Sequence, residues 1–146
     1  ELYDLVLNTR PSAEFAERLK AAVIDTFGSS DTGVFVRSDT NVEDLAGFTG
    51  AGLNLTLPNV IGFDTLVNSI PKVWASPFTS RAFAWRQSHL TAPEHVYTSI
   101  LLRESVASDK SGVLVTQDID TGDREVILVL VEGKAEISAA ERAASW

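Results

Sequence analysis

The chain has 146 residues, of which 45% are hydrophobic and 22% charged, and this composition predicts one globular domain rather than a disordered tail. Its 12 basic and 20 acidic residues give a net charge of −8, which argues against general binding to nucleic acid. No apolar run reaches the roughly 18 residues that a membrane span requires. The absence of cysteine excludes disulfides and zinc-thiolate sites, and two histidines are too few for a histidine-based metal cluster.

The chain begins with Glu1 and contains no methionine. Because a complete translated chain normally starts with methionine, we expect a processed chain or a piece of a longer protein. Nothing resembles a cleaved leader, which favours the piece. Residues 1–146 are then expected to form a single domain that works as one part of a larger assembly.

The first 57 residues predict two strands around a helix, followed by a loop and a third strand. Pro11 and Ser12 indicate a helix start, because proline suits a first turn and serine caps it. An apolar triplet forms the second strand and ends at Arg37, and Pro58 is expected to stop the third. In chain order the elements are a strand at 2–7, a helix at 12–27, a strand at 34–36, a loop at 38–52 and a strand at 53–57.

The rest of the chain predicts helices followed by strands, so the fold class is α+β. Pro71 is expected to kink the first of these helices. The segment 118–123 carries Asp and Gly and is expected to join an antiparallel hairpin. The predicted elements are helices at 63–74 and 77–90, strands at 96–104, 112–117 and 124–131, and a helix from 135.

The segment from Val34 to Gly52 holds the residues best suited to bind an anion. A buried strand delivers Arg37 to an edge, and a glycine loop follows. Guanidinium groups match phosphate oxygens in two-point geometry, and glycines let backbone N–H groups approach an anion closely. In the alternative interpretation, Arg37 pairs with Glu43 or Asp44 and the glycines only form turns. The residues by themselves leave both interpretations open.

Four motifs follow one another over about residues 33–133. They are Arg37-Ser38-Asp39 with Val42-Glu43-Asp44-Leu45, the glycine loop up to Gly52, Val73-Trp74-Ala75-Ser76 with Arg81-Ala82 and Arg86, and Ser111-Gly112-Val113 through Thr116 with Asp118 and Thr121-Gly122. In this order they resemble the nucleotide-binding domain of phosphoenolpyruvate synthases and pyruvate, phosphate dikinases. The form of the glycine loop is similar to the branch that contains the glucan, water dikinases.

This resemblance implies an ATP-grasp fold, with a mostly antiparallel sheet flanked by helices. It implies the ATP-binding part of a phosphotransferase that uses ATP and Mg²⁺ in the intact, cytoplasmic protein. Such proteins pass a phosphoryl group to a histidine on a swivelling carrier domain, and also carry a phosphoenolpyruvate/pyruvate-type domain. The isolated chain is expected to be inactive, because one lobe, the carboxylates that bind Mg²⁺ and the carrier are absent.

Carried over position by position, the resemblance implies these ATP-binding residues: Arg37, Thr49, Gly50, Ala51, Gly52, Thr56 and Arg103. Arg37 would hold the phosphates, and the residues from Thr49 to Thr56 would form the loop that folds over them. Supporting residues would be Glu43, Asp44 and Arg81. No residue of this chain is assigned as catalytic or as a metal ligand.

Two positions depart from the family pattern. Arg103 stands where relatives have a glutamine that contacts the adenine edge, and Leu53 stands where the loop has a glutamine. These departures keep open a second hypothesis, a non-catalytic binding or interaction module with an inherited fold. A carbohydrate-directed dikinase is a third.

The remaining polar candidates favour structural roles. His89 and His95 lie near the junction of a helix and a strand and are expected to be surface or structural residues. Asp118, Asp120 and Asp123 could supply oxygen ligands to a cation, although a solvated turn explains them as well.

Overall fold

The computed structural model describes residues 1–42, 44–45, 48–49, 53–90, 92, 94–106, 109–115 and 127–132. The chain divides into two compact units, Glu1–Ser105 and Val106–Trp146. Predictions for Glu43, Gly50, Ala51, Gly52, the turn at 118–123 and the helix from 135 lie outside the described residues. None of the helices in the described ranges is long and apolar enough to cross a membrane.

Within the described ranges, the first unit contains four α-helices and five strands, and the second contains a strand pair. The helices are α1 (Leu2–Leu7), α2 (Ala13–Phe27), α3 (Phe63–Ala75) and α4 (Ser80–His89), with a 3-10 helix at Ser76–Phe78. The strands are β1 (Val34–Thr40), β2 (Asp44–Leu45), β3 (Phe48–Thr49), β4 (Thr56–Val60), β5 (Thr98–Glu104), β6 (Lys110–Val115) and β7 (Ile127–Glu132).

The prediction of a strand at 2–7 is wrong, because these residues form helix α1. Tyr3, Val6 and Leu7 are partly buried, and their spacing of three and four residues is that of one helix face. This face packs against α3 and the 3-10 helix. A short apolar run does not distinguish strand from helix, and the packing partner decides between them.

Helix α2 begins and ends as the sequence predicts. The Ser12 hydroxyl accepts a hydrogen bond from the backbone N–H of Phe15 at 3.2 Å. At the other end Gly28 has a φ of +78°, and its N–H donates to the carbonyl of Ile24 at 2.9 Å. Serine therefore satisfies a free amide at the first turn, and glycine supplies the left-handed residue that ends the helix.

Replacing Ser12 with alanine is expected to lower the free energy of unfolding by about 1 kcal/mol, since the amide of the first turn loses its acceptor. Urea unfolding followed by circular dichroism measures this change. Ser12→Asp is the matched control, because aspartate restores an acceptor and suits the positive end of the helix. Equal destabilisation by both variants would contradict the capping role.

The helices at 63–74 and 77–90 are confirmed with shifted bounds. Helix α3 continues through the buried Pro71 to Ala75. The next helix begins at Ser80 rather than at 77, because Pro77 belongs to the 3-10 helix and Thr79 is the cap. The Thr79 hydroxyl accepts from the N–H of Ala82 at 3.3 Å, which fixes the start of α4.

A three-stranded antiparallel sheet with the order β4-β1-β5 forms the centre of the first unit. Along β1, Val34, Val36 and Ser38 are buried, whereas Arg37 and Asp39 are exposed. The buried valines pack in one cluster with Val23 of α2 and with residues of α3 and β4. Helices therefore cover one face of the sheet, and the α+β fold class, with an antiparallel ATP-grasp-like sheet, is confirmed.

Strand β4 differs from the prediction in position. The sequence predicts a strand at 53–57 stopped by Pro58, but β4 runs from Thr56 to Val60 and includes this proline. Val36 pairs with Leu57 and Val34 pairs with Val60, so a bulge lies between these pairs, and Asn59 has a φ of +48°. An edge strand tolerates proline at a bulge, because no ladder hydrogen bond depends on its missing N–H.

The segment 38–52, predicted as a loop, instead contains the end of β1, which continues to Thr40, and the short strands β2 and β3. The three later strands match the predicted order, and their bounds differ from the prediction by at most three residues. β5 begins at Thr98, two residues later than predicted, and pairs with β1 over seven residue pairs. In the second unit β6 and β7 pair antiparallel, from Lys110 opposite Glu132 to Val115 opposite Ile127. The predicted hairpin pairing is therefore confirmed.

Candidate functional site

Among the described residues, the helices that pack on the β4-β1-β5 sheet contact the side with the buried valines, and the opposite face carries most of the charged residues of the sheet. Because side chains alternate along a strand, the residues of β1 between the buried positions lie on this face with their cross-strand partners. We call it the arginine face, and its residues are Phe35, Arg37 and Asp39 of β1, Thr56 of β4, and Ser99, Leu101 and Arg103 of β5.

The strand register brings three of the predicted ATP-binding residues to this face. Arg37 lies directly opposite Thr56 on one side and opposite Leu101 on the other. Arg103 lies opposite Phe35, one pair further along the ladder, and is therefore a diagonal neighbour of Arg37. Diagonal neighbours in an antiparallel pair are about 7–8 Å apart, within reach of long side chains.

The arginine face is basic on a chain whose net charge is −8. Arg37 and Arg103 are both exposed. Arg37 interacts with another residue. Arg103 makes no ion pair with any residue that the structure describes. Asp39, at one end of the face, accepts a hydrogen bond from the Ser99 hydroxyl at 3.0 Å. The alternative pairing of Arg37 with Glu43 or Asp44 involves side chains outside the description.

Asn41 fixes the point at which the chain leaves the sheet. Its side-chain amide donates to the carbonyl of His95 at 3.0 Å and accepts from the N–H of Tyr97 at 2.8 Å. The last pair of the β1–β5 ladder is Thr40 with Thr98, so these two bonds continue the ladder with a side chain in place of backbone. The backbone pairing of β1 with β5 ends at this point, and the chain continues toward β2 and β3.

Replacing Asn41 with alanine removes both bonds and is expected to lower the free energy of unfolding by about 1 kcal/mol. Urea unfolding monitored by tryptophan fluorescence measures the loss. Asn41→Asp keeps the oxygen that accepts from Tyr97 but places a second oxygen toward the His95 carbonyl, so it is expected to recover little of the stability. If the alanine variant unfolds at the wild-type urea concentration, the amide bridge has no stabilising role.

For the other predicted site residues in the described ranges, the structure gives the position in the fold. Thr49 lies in β3 and pairs with Asp44 of β2. Arg81 is exposed in the first turn of α4 and is not one of the residues of the arginine face. Helix α4 packs against the 3-10 helix. The supporting role of Arg81 and the roles of the loop residues therefore stay predictions. In the described ranges no three histidine or carboxylate side chains are grouped to hold a metal ion.

Arg86 belongs to one of the sequence motifs without an assigned site role, and in the structure it is a buried cation. Its side chain is 6% exposed, and its guanidinium carbon lies 5.5 Å from the ring centre of Phe78 and 5.8 Å from that of Phe83. Its Nε has no hydrogen-bond partner among the residues that the structure describes. Burial lowers the pKa of this guanidinium below its ordinary value, because the charged form is removed from water. The aromatic rings supply the favourable contact that a buried cation requires.

The two histidines occupy the structural and surface positions expected of them. His89 stacks on Trp85 with ring centres 4.1 Å apart, and its Nδ1 lies 2.7 Å from the Ser88 hydroxyl. His95 stacks on Tyr97 at 6.5 Å. Both histidines are exposed.

An antiparallel sheet with an exposed, basic face is suited to bind a polyanion such as a nucleotide. The chain matches the family described as pyruvate phosphate dikinase, AMP/ATP-binding domain, over residues 1–133. This match covers most of the chain, which therefore belongs to that family.

Its relatives include phosphoenolpyruvate synthases and a rifampicin phosphotransferase. The chain is 32% identical over 143 residues to a probable phosphoenolpyruvate synthase of Pyrococcus abyssi, covering 94% of the chain and 18% of the relative. It is 33% identical over 134 residues to the phosphoenolpyruvate synthase of Pyrococcus furiosus, covering 88% and 16%. The identity to the rifampicin phosphotransferase of Bacillus subtilis is 36% over 94 residues, covering 64% and 11%. The chain spans less than a fifth of the length of each.

These comparisons confirm the resemblance to the nucleotide-binding domain of phosphoenolpyruvate synthases and dikinases. The nearness to the glucan, water dikinase branch stays a prediction.

Proposed function

We propose that this chain binds the triphosphate of ATP on the arginine face, as the nucleotide-binding part of a phosphotransferase. The observation that supports this proposal is the strand register, which brings Arg37, Thr56 and Arg103 from three strands to one exposed face. Family membership supports a nucleotide as the ligand. The strand register supports this face as its site, because it brings together side chains that can bind phosphate oxygens.

Each residue of the proposed site has a defined task. The Arg37 guanidinium donates paired hydrogen bonds to phosphate oxygens, and the Thr56 hydroxyl donates from the neighbouring strand. The segment from Thr49 to Gly52 would add backbone N–H groups, as its glycines allow close approach. Together these groups orient the triphosphate and neutralise part of its charge, which supplies most of the catalysis in phosphoryl transfer.

Magnesium and the phosphoryl acceptor would come from outside this part of the molecule. Bound Mg²⁺ neutralises charge on the phosphates, but the described residues group no set of carboxylates that fits it. We therefore assign no step to Mg²⁺ in this chain. In the proposed intact, cytoplasmic protein, a histidine carrier domain accepts the phosphoryl group, and a phosphoenolpyruvate/pyruvate-type domain is a further part of the same protein.

The test is a calorimetric titration of the longest available polypeptide that contains this chain with ATP. Arg37→Ala is expected to weaken ATP binding about 10- to 100-fold, the range that corresponds to loss of a charge-assisted hydrogen bond. Arg18→Ala is the matched control, because Arg18 is an exposed arginine of α2, outside the arginine face. Unchanged ATP affinity in Arg37→Ala would overturn the proposed site.

A second candidate function is a non-catalytic binding module, favoured by Arg103 and Leu53 at positions where relatives use glutamine. This module would keep the fold without transferring phosphate. Incubation of the longer polypeptide with labelled ATP separates the two, because only the phosphotransferase incorporates label into histidine. A lack of label together with a lack of any ATP-dependent thermal shift would favour the module.

A further inference from the structure

We propose that Arg103 and Arg37 bind the same polyphosphate, so that this site selects the triphosphate and discriminates little between bases. The ligand class is then nucleoside triphosphates irrespective of base, together with inorganic tripolyphosphate. This inference rests on the proposed function, and it assigns Arg103 to the phosphates rather than to the base edge.

The first step is the position of the two arginines. Across β1 and β5, Phe35 faces Arg103 and Arg37 faces Leu101, so the two cations and the two apolar side chains occupy opposite diagonals of one square. The separation of about 7–8 Å between diagonal neighbours is short compared with the length of two arginine side chains. Both guanidinium groups can therefore reach a single anion above the square.

The second step is the charge balance of the square. Arg103 is exposed and makes no ion pair with any residue that the structure describes, whereas Arg37 also interacts with another residue. Two guanidinium groups on one face repel each other, and Leu101 beside them is apolar and 53% exposed. A multivalent anion relieves this repulsion, because its separate oxygens can accept from both groups at once.

The third step is the direction that the face imposes. Asp39 and Ser99 form a pair on the side of Arg37 that is opposite to Arg103. The Asp39 carboxylate repels phosphate, so an anion bound to Arg37 is displaced toward Arg103. The charge pattern thus places the favourable position for phosphate between the two arginines.

The fourth step concerns the base. An arginine side chain has five donors and no acceptor. The adenine edge presents an amino donor beside an acceptor, and an amide side chain complements both whereas a guanidinium complements only one. Phosphate oxygens are acceptors throughout, so they match Arg103 better than the adenine edge does.

The test compares ATP, GTP, sodium tripolyphosphate and adenosine as ligands in calorimetric titrations of the longest polypeptide that contains this chain. Arg103→Ala is expected to weaken ATP, GTP and tripolyphosphate by the same factor, about tenfold. Wild-type affinities for ATP and GTP are expected to lie within about threefold, and adenosine is expected to bind far more weakly than tripolyphosphate. Arg18→Ala serves again as the charge-matched control, and Arg103→Gln is the conservative second variant.

Two results would overturn this inference while leaving the proposed site intact. One is a loss of ATP affinity in Arg103→Ala and Arg103→Gln with tripolyphosphate affinity unchanged, which would assign Arg103 to the base. The other is unchanged affinity for all ligands in both variants, while Arg37→Ala still weakens ATP binding. Failure of the proposed function is distinct, because then Arg37→Ala also leaves ATP affinity at the wild-type value.

Discussion

Replacing Val36 with aspartate is expected to unfold the first compact unit, whereas the same replacement at Arg37, the next residue, is expected to leave it folded. Val36 is 0% exposed and sits in the cluster between the sheet and the helices. A carboxylate there has no partner, and the cost is expected to reach about 4 kcal/mol or more, a large part of the stability of a small domain. Arg37 faces the exposed side, where a substitution changes stability by about 0.5 kcal/mol.

Circular dichroism and heteronuclear NMR spectra of the two variants provide the measurement. Arg37→Asp is expected to keep dispersed amide resonances and a cooperative thermal transition, and Val36→Asp is expected to lose both. The pair tests the inward and outward assignment of β1 directly, because a register slip by one residue would exchange the two outcomes. A folded Val36→Asp variant with an unfolded Arg37→Asp variant would therefore contradict the assignment.

The folded Arg37→Asp variant is in turn expected to lose more than about 100-fold in ATP affinity. It removes a charge-assisted donor to phosphate and adds a negative charge to the position that the phosphate would occupy. The loss is expected to exceed that of Arg37→Ala, since alanine removes the attraction without adding repulsion. Isothermal titration calorimetry in about 0.15 M salt measures both, so that distant charges are largely screened.

Arg18→Asp is the control for this second prediction, because it changes the net charge by the same amount outside the arginine face. Its ATP affinity is expected to stay within about threefold of wild type under this screening. Equal losses in Arg18→Asp and Arg37→Asp would mean that overall charge, rather than a local phosphate contact, controls binding.

The sequence predicts the elements whose signals are local and strong. Ser12 and Gly28 mark the ends of α2, and the apolar triplet that ends at Arg37 marks the start of β1. It misses α1, because six apolar and polar residues fit either periodicity until α3 provides a surface to pack on. It also misplaces β4, because the tolerance of Pro58 depends on the bulge and on the edge position of the strand.

The candidate site was partly predictable for the same reason. Motif resemblance assigned Arg37, Thr56 and Arg103, but only the pairing of β1 with β4 and β5 shows that these residues share a face. Arg86 was treated as one residue of a motif, although it lies four residues after Ala82 and hence on the same buried side of α4. The spacing of four residues from Ala82 predicts burial of Arg86, whereas a charged side chain is ordinarily expected to be exposed.

Pro58 also has a consequence for solubility. The outer edge of an antiparallel sheet presents unpaired amide and carbonyl groups that can recruit a strand from another molecule. At this edge β4 has a proline in the middle of its five residues, followed by a residue in the left-handed region. Among the described strands, β4 has only β1 beside it. A strand of another molecule that approached this edge would meet a missing donor and a break in the repeat, which disfavours the intermolecular pairing that leads to aggregation.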